Sequence, residues 1–155
     1  MNNHYHLIAS TPRANISQCM QYFNLATSKR LAEAGNRDNE TYAGRHYKTV
    51  LHSHNYYLNA YKYIYRNPIK ARIVERAELY PFSTLYGLLG QRKTIIPVIE
   101  DITLFSDPES CLRWLNLAPN VEVEEAVRYA LKRPYFMSKK KQSNGKPIIG
   151  PNDTM

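Results

Sequence analysis

Cysteine and long apolar runs are scarce in this sequence, and each scarcity excludes a class of protein. The two cysteines, Cys19 and Cys111, fit no metal or redox spacing, so we interpret them as free thiols in a reducing compartment. No apolar run approaches the ~20 residues of a membrane-spanning helix, which predicts a protein without a membrane partner. The opening residues MNNHYH lack the basic and apolar segments of a secretory signal. The sequence therefore predicts a cytoplasmic protein.

Positive charge and tyrosine are abundant instead. Lysine and arginine number 21 against 13 aspartate and glutamate residues, which gives a formal net charge of +8. A balance this basic favours an anionic partner, with nucleic acid ahead of an acidic membrane surface. The chain also has 13 tyrosines but one tryptophan, and tyrosine can pack, stack on bases or act as a nucleophile.

Two histidines stand two positions apart near the start of the chain, in the stretch NHYHL. If residues 4–10 form a strand, His4 and His6 project to the same face, where two imidazoles can hold a divalent cation. The alternative is a pair of half-exposed histidines on an edge strand, or the remnant of an expression tag. A second pair, His52 and His54, falls where a strand gives way to a helix, and we interpret it as solvated turn residues.

Hydrophobic periodicity and turn residues predict the other elements. They are a helix from about residue 16 to Gly35, a strand at 47–52, a helix at 55–67 stopped by Pro68, and helices at 108–117 and 121–132.

Five tyrosines lie on the predicted helix 55–67, and helical geometry divides them between faces. One face carries three tyrosines spaced four residues apart, Tyr57, Tyr61 and Tyr65. A different face carries Tyr56, Tyr63 and Asn67. The usual interpretation is that one tyrosine face is core and the other is solvated. A histidine metal site could alternatively use the Asn67 oxygen as a third ligand, with Tyr63 aimed at a phosphate.

Four stretches occur in a fixed order within residues 3 to about 90: NHYHLIASTP, YKTVL, YIYRNPIKARIV and LYPFST. Together they resemble the single-tyrosine His-hydrophobic-His (HUH) transposases, in the branch associated with repetitive extragenic palindromes. That family typically shows Pro-Asn-His-x-His-Leu, then a strand with an aromatic-Lys pair. Tyr-Ile-x-x-Asn-Pro-x-x-Ala and Tyr-Pro-x-Ser-Ser follow.

The resemblance implies a site and a reaction. His4 and His6 match the histidines that hold Mg²⁺ or Mn²⁺, Asn67 matches the position that completes the metal site, and Tyr63 matches the nucleophile. The implied reaction is nicking and strand transfer of single-stranded or hairpin DNA through a 5′-phosphotyrosine, without ATP. On charge alone, we assign DNA contacts to four basic residues, Arg45, Lys48, Arg66 and Lys70.

The resemblance also implies an α+β fold, in which helices pack on a ferredoxin-like antiparallel sheet and further helices follow. Residues 1–90 would form the catalytic core, 91–136 a helical extension and 137–155 a basic flexible tail. Members of the family carry at least one more strand before the histidines, whereas only MNN precedes His4. We therefore expect a core without its N-terminal strand, owing to a late start site, a shortened chain or a decayed gene. Its unpaired edge would favour a homodimer.

Two other functions stay open at this point. A non-catalytic binder of hairpin or single-stranded DNA would keep the basic surface without cleavage. A metal-dependent hydrolase would use the histidines to activate water, but it would explain neither Tyr63 nor the charge.

Overall fold

The computed structural model describes residues 4–35, 46–94 and 97–155. It divides into two compact units, Ile8–Lys48 and a larger unit that joins Met1–Leu7 to Thr49–Met155. The smaller unit is built on helix α1, Ile16–Gly35, which matches the predicted first helix. None of the helices in the described residues combines the length and apolar character needed to cross a membrane.

The larger unit is an assembly of short helices. Its described helices are α2 (His54–Lys70), α3 (Thr84–Leu88), α4 (Ile102–Phe105), α5 (Pro108–Asn116), α6 (Val121–Ala130) and a 3₁₀ turn at Ala77–Leu79. Side-chain caps fix where several of them begin, because Ser53, Asp107 and Asn120 accept hydrogen bonds from the free backbone N–H groups of the first turn. Helices α5 and α6 correspond to the two helices predicted near the C-terminal end.

The predicted antiparallel sheet is wrong. The described residues are 49% helix and 3% strand and contain no sheet. Residues 4–10 form no strand, and the segment 47–52 contributes one isolated bridge, in which Val50 pairs in parallel with Tyr135. A strand needs a neighbouring segment that both accepts and donates backbone hydrogen bonds along its length. Here the Val50 N–H donates to the Pro134 carbonyl and the Val50 carbonyl accepts from the Phe136 N–H, which makes one bridge.

The predicted stop of α2 at Pro68 is also wrong, because the helix continues to Lys70. Proline removes one helical hydrogen bond and crowds the carbonyl four residues earlier, but its fixed φ angle is helical, so a helix can run through it near its end. The helix then ends in a Schellman motif. The Ile73 N–H donates to the Pro68 carbonyl and the Arg72 N–H donates to the Ile69 carbonyl, both at 2.9 Å. Arg72 takes the left-handed conformation, with φ of 57°, that this motif requires.

Helix α2 lies between two apolar cores, so both of its tyrosine faces are packed. On one side, Tyr56 joins residues of α6 and later segments in a buried cluster that also contains Ala126, Val127, Ala130, Phe136 and Ile149. On the other side, Tyr61 joins a cluster that also contains Ala77, Leu85, Leu104, Cys111 and Leu115. The expectation of one core face and one solvated face therefore does not hold.

The segment after Phe136 also packs, which differs from the flexible tail expected from its composition. Ile149 is 1% exposed within the first cluster. Asn59, which is fully buried, accepts a hydrogen bond from the Met155 N–H at 2.7 Å and donates to the Asp153 carbonyl at 2.8 Å. The Trp114 indole N–H donates to the Met155 carbonyl at 2.7 Å. One apolar anchor, Ile149, and the hydrogen bonds of Asn59 and Trp114 thus order a stretch whose lysines, glycines and prolines predict mobility.

A buried lysine completes this arrangement. Lys62 is 1% exposed, its Nζ lies 3.4 Å from the Met155 carbonyl oxygen, and it stands 5.1 Å from the centre of the Trp114 ring. Burial, with a smaller contribution from the charge of Arg66, lowers the pKa of Lys62 to about 8.

We expect the titration of Lys62 to make the free energy of unfolding increase with pH. Between about pH 8 and its ordinary pKa of 10.5, Lys62 is neutral in the folded protein but still protonated in the unfolded chain. The unfolded state then binds more protons, so the free energy of unfolding increases with pH, by on the order of 3 kcal/mol across the window. Denaturation of the wild type and Lys62→Met from neutral pH to about pH 10 measures the difference. Parallel stability curves would contradict the expectation.

Candidate functional site

Two histidines and one tyrosine from distant parts of the sequence meet in the larger unit. The ring centroids of His4 and His6 are 5.1 Å apart with the rings nearly perpendicular. The His6 ring lies 6.1 Å from the Tyr63 ring, again edge to face. Both histidines are exposed and Tyr63 is half-buried against the cluster that contains Tyr56. The site is therefore open to solvent on the histidine side and fixed to the core on the tyrosine side.

The other tyrosines of α2 are placed differently. Tyr61 is 3% exposed and donates a hydrogen bond to the Asp101 carboxylate at 2.7 Å. Burial and this bond raise the pKa of Tyr61 far above its ordinary value, and burial also raises the pKa of Tyr57 and Tyr65. A raised pKa disfavours the phenolate that attacks phosphorus. Tyr56 is buried and stacks on Phe136, with ring centroids 4.6 Å apart.

Asn67 lies one helical turn after Tyr63 on α2. It is half-buried, and its side-chain nitrogen is buried without a hydrogen-bond partner among the described residues. An unsatisfied buried amide is rare in folded proteins. The two ends of an amide side chain are interchangeable by rotation, so this group can present either its nitrogen or its oxygen to a ligand.

The spacing of the two histidine rings is compatible with two ligands to one divalent metal ion. An ion held by one nitrogen of each ring at ~2.1 Å would separate the ring centroids by roughly 4.6–5.3 Å, for ligand angles of about 90–110°. The observed separation of 5.1 Å falls in this range. Although His6 is exposed overall, partial desolvation of its imidazole and, to a smaller extent, the charge of His4 lower the pKa of His6, which favours the neutral imidazole that metals require.

A third ligand would have to come from another residue type. The described residues contain no group of three or more His, Cys, Asp and Glu side chains that could hold a metal ion. The Asn67 amide oxygen and oxygens of a bound phosphate are hard donors of the kind that Mg²⁺ and Mn²⁺ accept.

The four basic residues assigned to DNA have different surroundings. Arg66 is half-buried, and its guanidinium donates to the Leu115 carbonyl at 2.9 Å. Lys70 forms an ion pair with Glu124 at 3.1 Å. Lys48 is exposed and donates to the Ser17 hydroxyl at 3.2 Å within the smaller unit. Arg45 lies outside the described residues. Arg66 and Lys70 thus already contact the rest of the fold.

The two histidines of the second pair, His52 and His54, contact different tyrosines. The His52 ring packs edge to face on Tyr56, with centroids 4.9 Å apart, and the His54 ring stacks on Tyr57 at 6.1 Å. Both histidines are exposed, but His52 precedes α2 and His54 is its first residue, so the interpretation as turn residues does not hold for His54.

Sequence reasoning missed Asn59 and Lys62, the two buried polar residues of α2. Nothing local marks them, because a lysine and an asparagine in a tyrosine-rich helix usually face water. Their partners, Asp153 and Met155, are more than 90 residues away in the sequence.

Comparisons of this chain with protein-family models, curated proteins and solved structures find no match. A function for this chain therefore depends on the chemistry of the site itself.

Proposed function

We propose that this protein nicks and rejoins single-stranded or hairpin DNA through a 5′-phosphotyrosine formed at Tyr63. His4, His6 and Asn67 would hold Mg²⁺ or Mn²⁺ beside the scissile phosphate. The protein would then act as a DNA strand transferase of the transposase type. The observation that carries the proposal is the contact of the His6 ring with Tyr63, since His6 could have met any of five tyrosines on α2.

The chemistry required of the protein is modest. When bound, the divalent ion supplies positive charge against the phosphate oxygens. The Tyr63 oxygen attacks phosphorus and loses its proton to solvent, and the bond from phosphorus to the 3′ oxygen breaks. The 3′ oxygen takes up a proton and leaves as a hydroxyl. Attack by a 3′-hydroxyl on the phosphotyrosine reverses these steps, and because one phosphate ester replaces another, no ATP is needed.

The residues around Tyr63 suit this role. Packing against the apolar core limits the motion of the ring, which favours a fixed line of attack on phosphorus. The exposed histidines leave room for a strand of DNA to approach. The lowered pKa of His6 keeps its imidazole available as a ligand at neutral pH.

A covalent trapping assay tests the proposal. The protein is incubated with end-labelled single-stranded hairpin DNA and Mn²⁺, and the products are separated under denaturing conditions. We expect a labelled protein–DNA band that EDTA prevents. DNA retained without such a band would instead support a non-catalytic DNA-binding protein, and the absence of any DNA binding would contradict both.

We expect His6→Ala to abolish the metal-dependent adduct while hairpin DNA still binds. The substitution removes a ligand, whereas contacts between basic residues and phosphates provide most of the affinity for DNA. Adduct yield and DNA affinity are measured on the same preparation, with His52→Ala as the matched control from the other histidine pair. An adduct that survives His6→Ala, or an equal loss in His52→Ala, would remove the metal role of His6.

A further inference from the structure

The positive charge of this protein is concentrated in one stretch of sequence. Residues 126–152 contain seven lysines and arginines and no aspartate or glutamate. The rest of the chain has 14 basic and 13 acidic residues, so it contributes +1 of the net charge of +8. This stretch therefore carries most of the net positive charge that would attract a polyanion.

The fold converts part of this stretch into an ordered hairpin, residues 138–149, here called the basic hairpin. Lys140 and Pro147 form an antiparallel bridge, and the Lys141 N–H donates to the Lys146 carbonyl at 2.7 Å. The turn is closed by Gly145, whose φ of 68° suits glycine. Buried Ile149 anchors the base of the hairpin in the core.

The lysines of the basic hairpin point outward. The four of them, Lys139, Lys140, Lys141 and Lys146, are exposed. None forms an ion pair with any part of the chain that the structure describes, where the ion pairs are Lys70 with Glu124 and Arg76 with Glu78. Four exposed like charges without acidic partners on one turn create a local positive potential that attracts an anion.

Aromatic residues adjoin these charges. The Lys139 ammonium lies 5.1 Å and the Arg133 guanidinium 4.5 Å from the centre of the Tyr129 ring, and Arg133 also donates to the Tyr129 hydroxyl. Tyr135, just before the hairpin, is 58% exposed. Tyr129 is half-buried between these cations, so Tyr135 is the ring open to a base. Proteins bind single-stranded nucleic acid by placing phosphates on cations and stacking bases on such exposed rings.

We infer that the basic hairpin, together with Arg133 and Tyr135, is a binding surface for single-stranded nucleic acid. This surface would provide most of the affinity for DNA, whereas Arg66 and Lys70 near Tyr63 are engaged within the fold. The inference rests on the proposed function only for the choice of DNA over other nucleic acids. An anionic membrane would use the same charges, but it would not require stacking on Tyr135.

Salt titration of two charge-matched variants tests the inference. One variant carries alanine at the four hairpin lysines. The control carries alanine at four exposed basic residues outside the stretch, Lys29, Arg30, Arg92 and Lys93. We expect the hairpin variant to bind a labelled single-stranded oligonucleotide at least about tenfold more weakly. The slope of log affinity against log salt should fall by roughly 3, because each lysine–phosphate pair contributes ~0.7 to that slope. The control variant should keep most of the wild-type affinity and most of the wild-type salt slope.

A second pair of variants separates stacking from charge. Tyr135→Phe should keep the affinity for the oligonucleotide and Tyr135→Ala should lower it about tenfold, because stacking a base on an aromatic ring contributes roughly 1–3 kcal/mol. Equal weakening in the hairpin variant and its control would overturn the inference. Hairpin-dependent binding to phosphatidylserine vesicles without oligonucleotide binding would also overturn it.

The covalent trapping assay, run alongside, distinguishes the two proposals. If the wild type forms the adduct but the hairpin variant keeps its affinity and salt slope, the hairpin inference fails and the proposed function stands. If the hairpin variant loses affinity although the wild type never forms an adduct, the hairpin inference stands and the proposed function fails.

Discussion

Tyr63→Phe is expected to eliminate the covalent protein–DNA adduct, with a fall of at least ~10³-fold, while the melting temperature stays almost unchanged. The substitution removes only the attacking oxygen and keeps the ring that packs against the core. The measurement combines adduct yield on hairpin DNA with thermal unfolding of the same protein.

Tyr61→Phe is the matched control for this result. It removes a hydroxyl two residues away that donates to Asp101 at 2.7 Å in a buried environment. We expect it to keep the adduct but lose about 1.5–3 kcal/mol of stability, because a hydrogen bond to a charged group is lost. If Tyr63→Phe retained the adduct, or Tyr61→Phe lost it, the assignment of the nucleophile would be wrong.

Phe136→Ala is expected to reduce the free energy of unfolding by about 3–5 kcal/mol, the largest stability effect that we expect from a single substitution here. Phe136 is fully buried, stacks on Tyr56 and belongs to the cluster that anchors the basic hairpin. Truncation would leave a cavity between α2, α6 and the C-terminal segment. Urea denaturation measures the loss.

Phe82→Ala serves as the control, since the Phe82 side chain is 79% exposed and its aromatic neighbour is Tyr80. A surface change of this kind should cost roughly 0.5 kcal/mol. Similar losses for the two variants would mean that the segment after α6 does not pack as the structure describes.

Helices were predictable because their hydrogen bonds are local. The start of α1, the division of the tyrosines between faces of α2, and the positions of α5 and α6 all follow from spacing and capping residues in one short window. The end of α2 could not be predicted in this way. Pro68 normally stops a helix, and the continuation of α2 to Lys70 depends on the Schellman motif around Arg72.

Strands could not be predicted in the same way. Residues 4–10 and 47–52 have the alternating side-chain pattern that suits a strand. A strand also needs a partner segment whose backbone groups donate and accept hydrogen bonds with it. For Val50 the partner is the short stretch 134–136, and one bridge forms instead of a sheet. The pairing of distant segments is decided by how the helices pack, which no local window contains.

The candidate site shows the same division. The sequence by itself determined which residue types are present, the net charge of +8 with its concentration in residues 126–152, and the helical face that Tyr63 shares with Asn67. The resemblance implied that His6 and Tyr63 share a site, but only the tertiary structure shows the two rings in contact across 56 intervening residues. It also decided that the buried Tyr61 donates a hydrogen bond to Asp101 and that the lysines after α6 lie on an ordered hairpin. The physical reason is that side-chain chemistry and helical spacing are local properties, whereas burial and long-range contact depend on the whole chain.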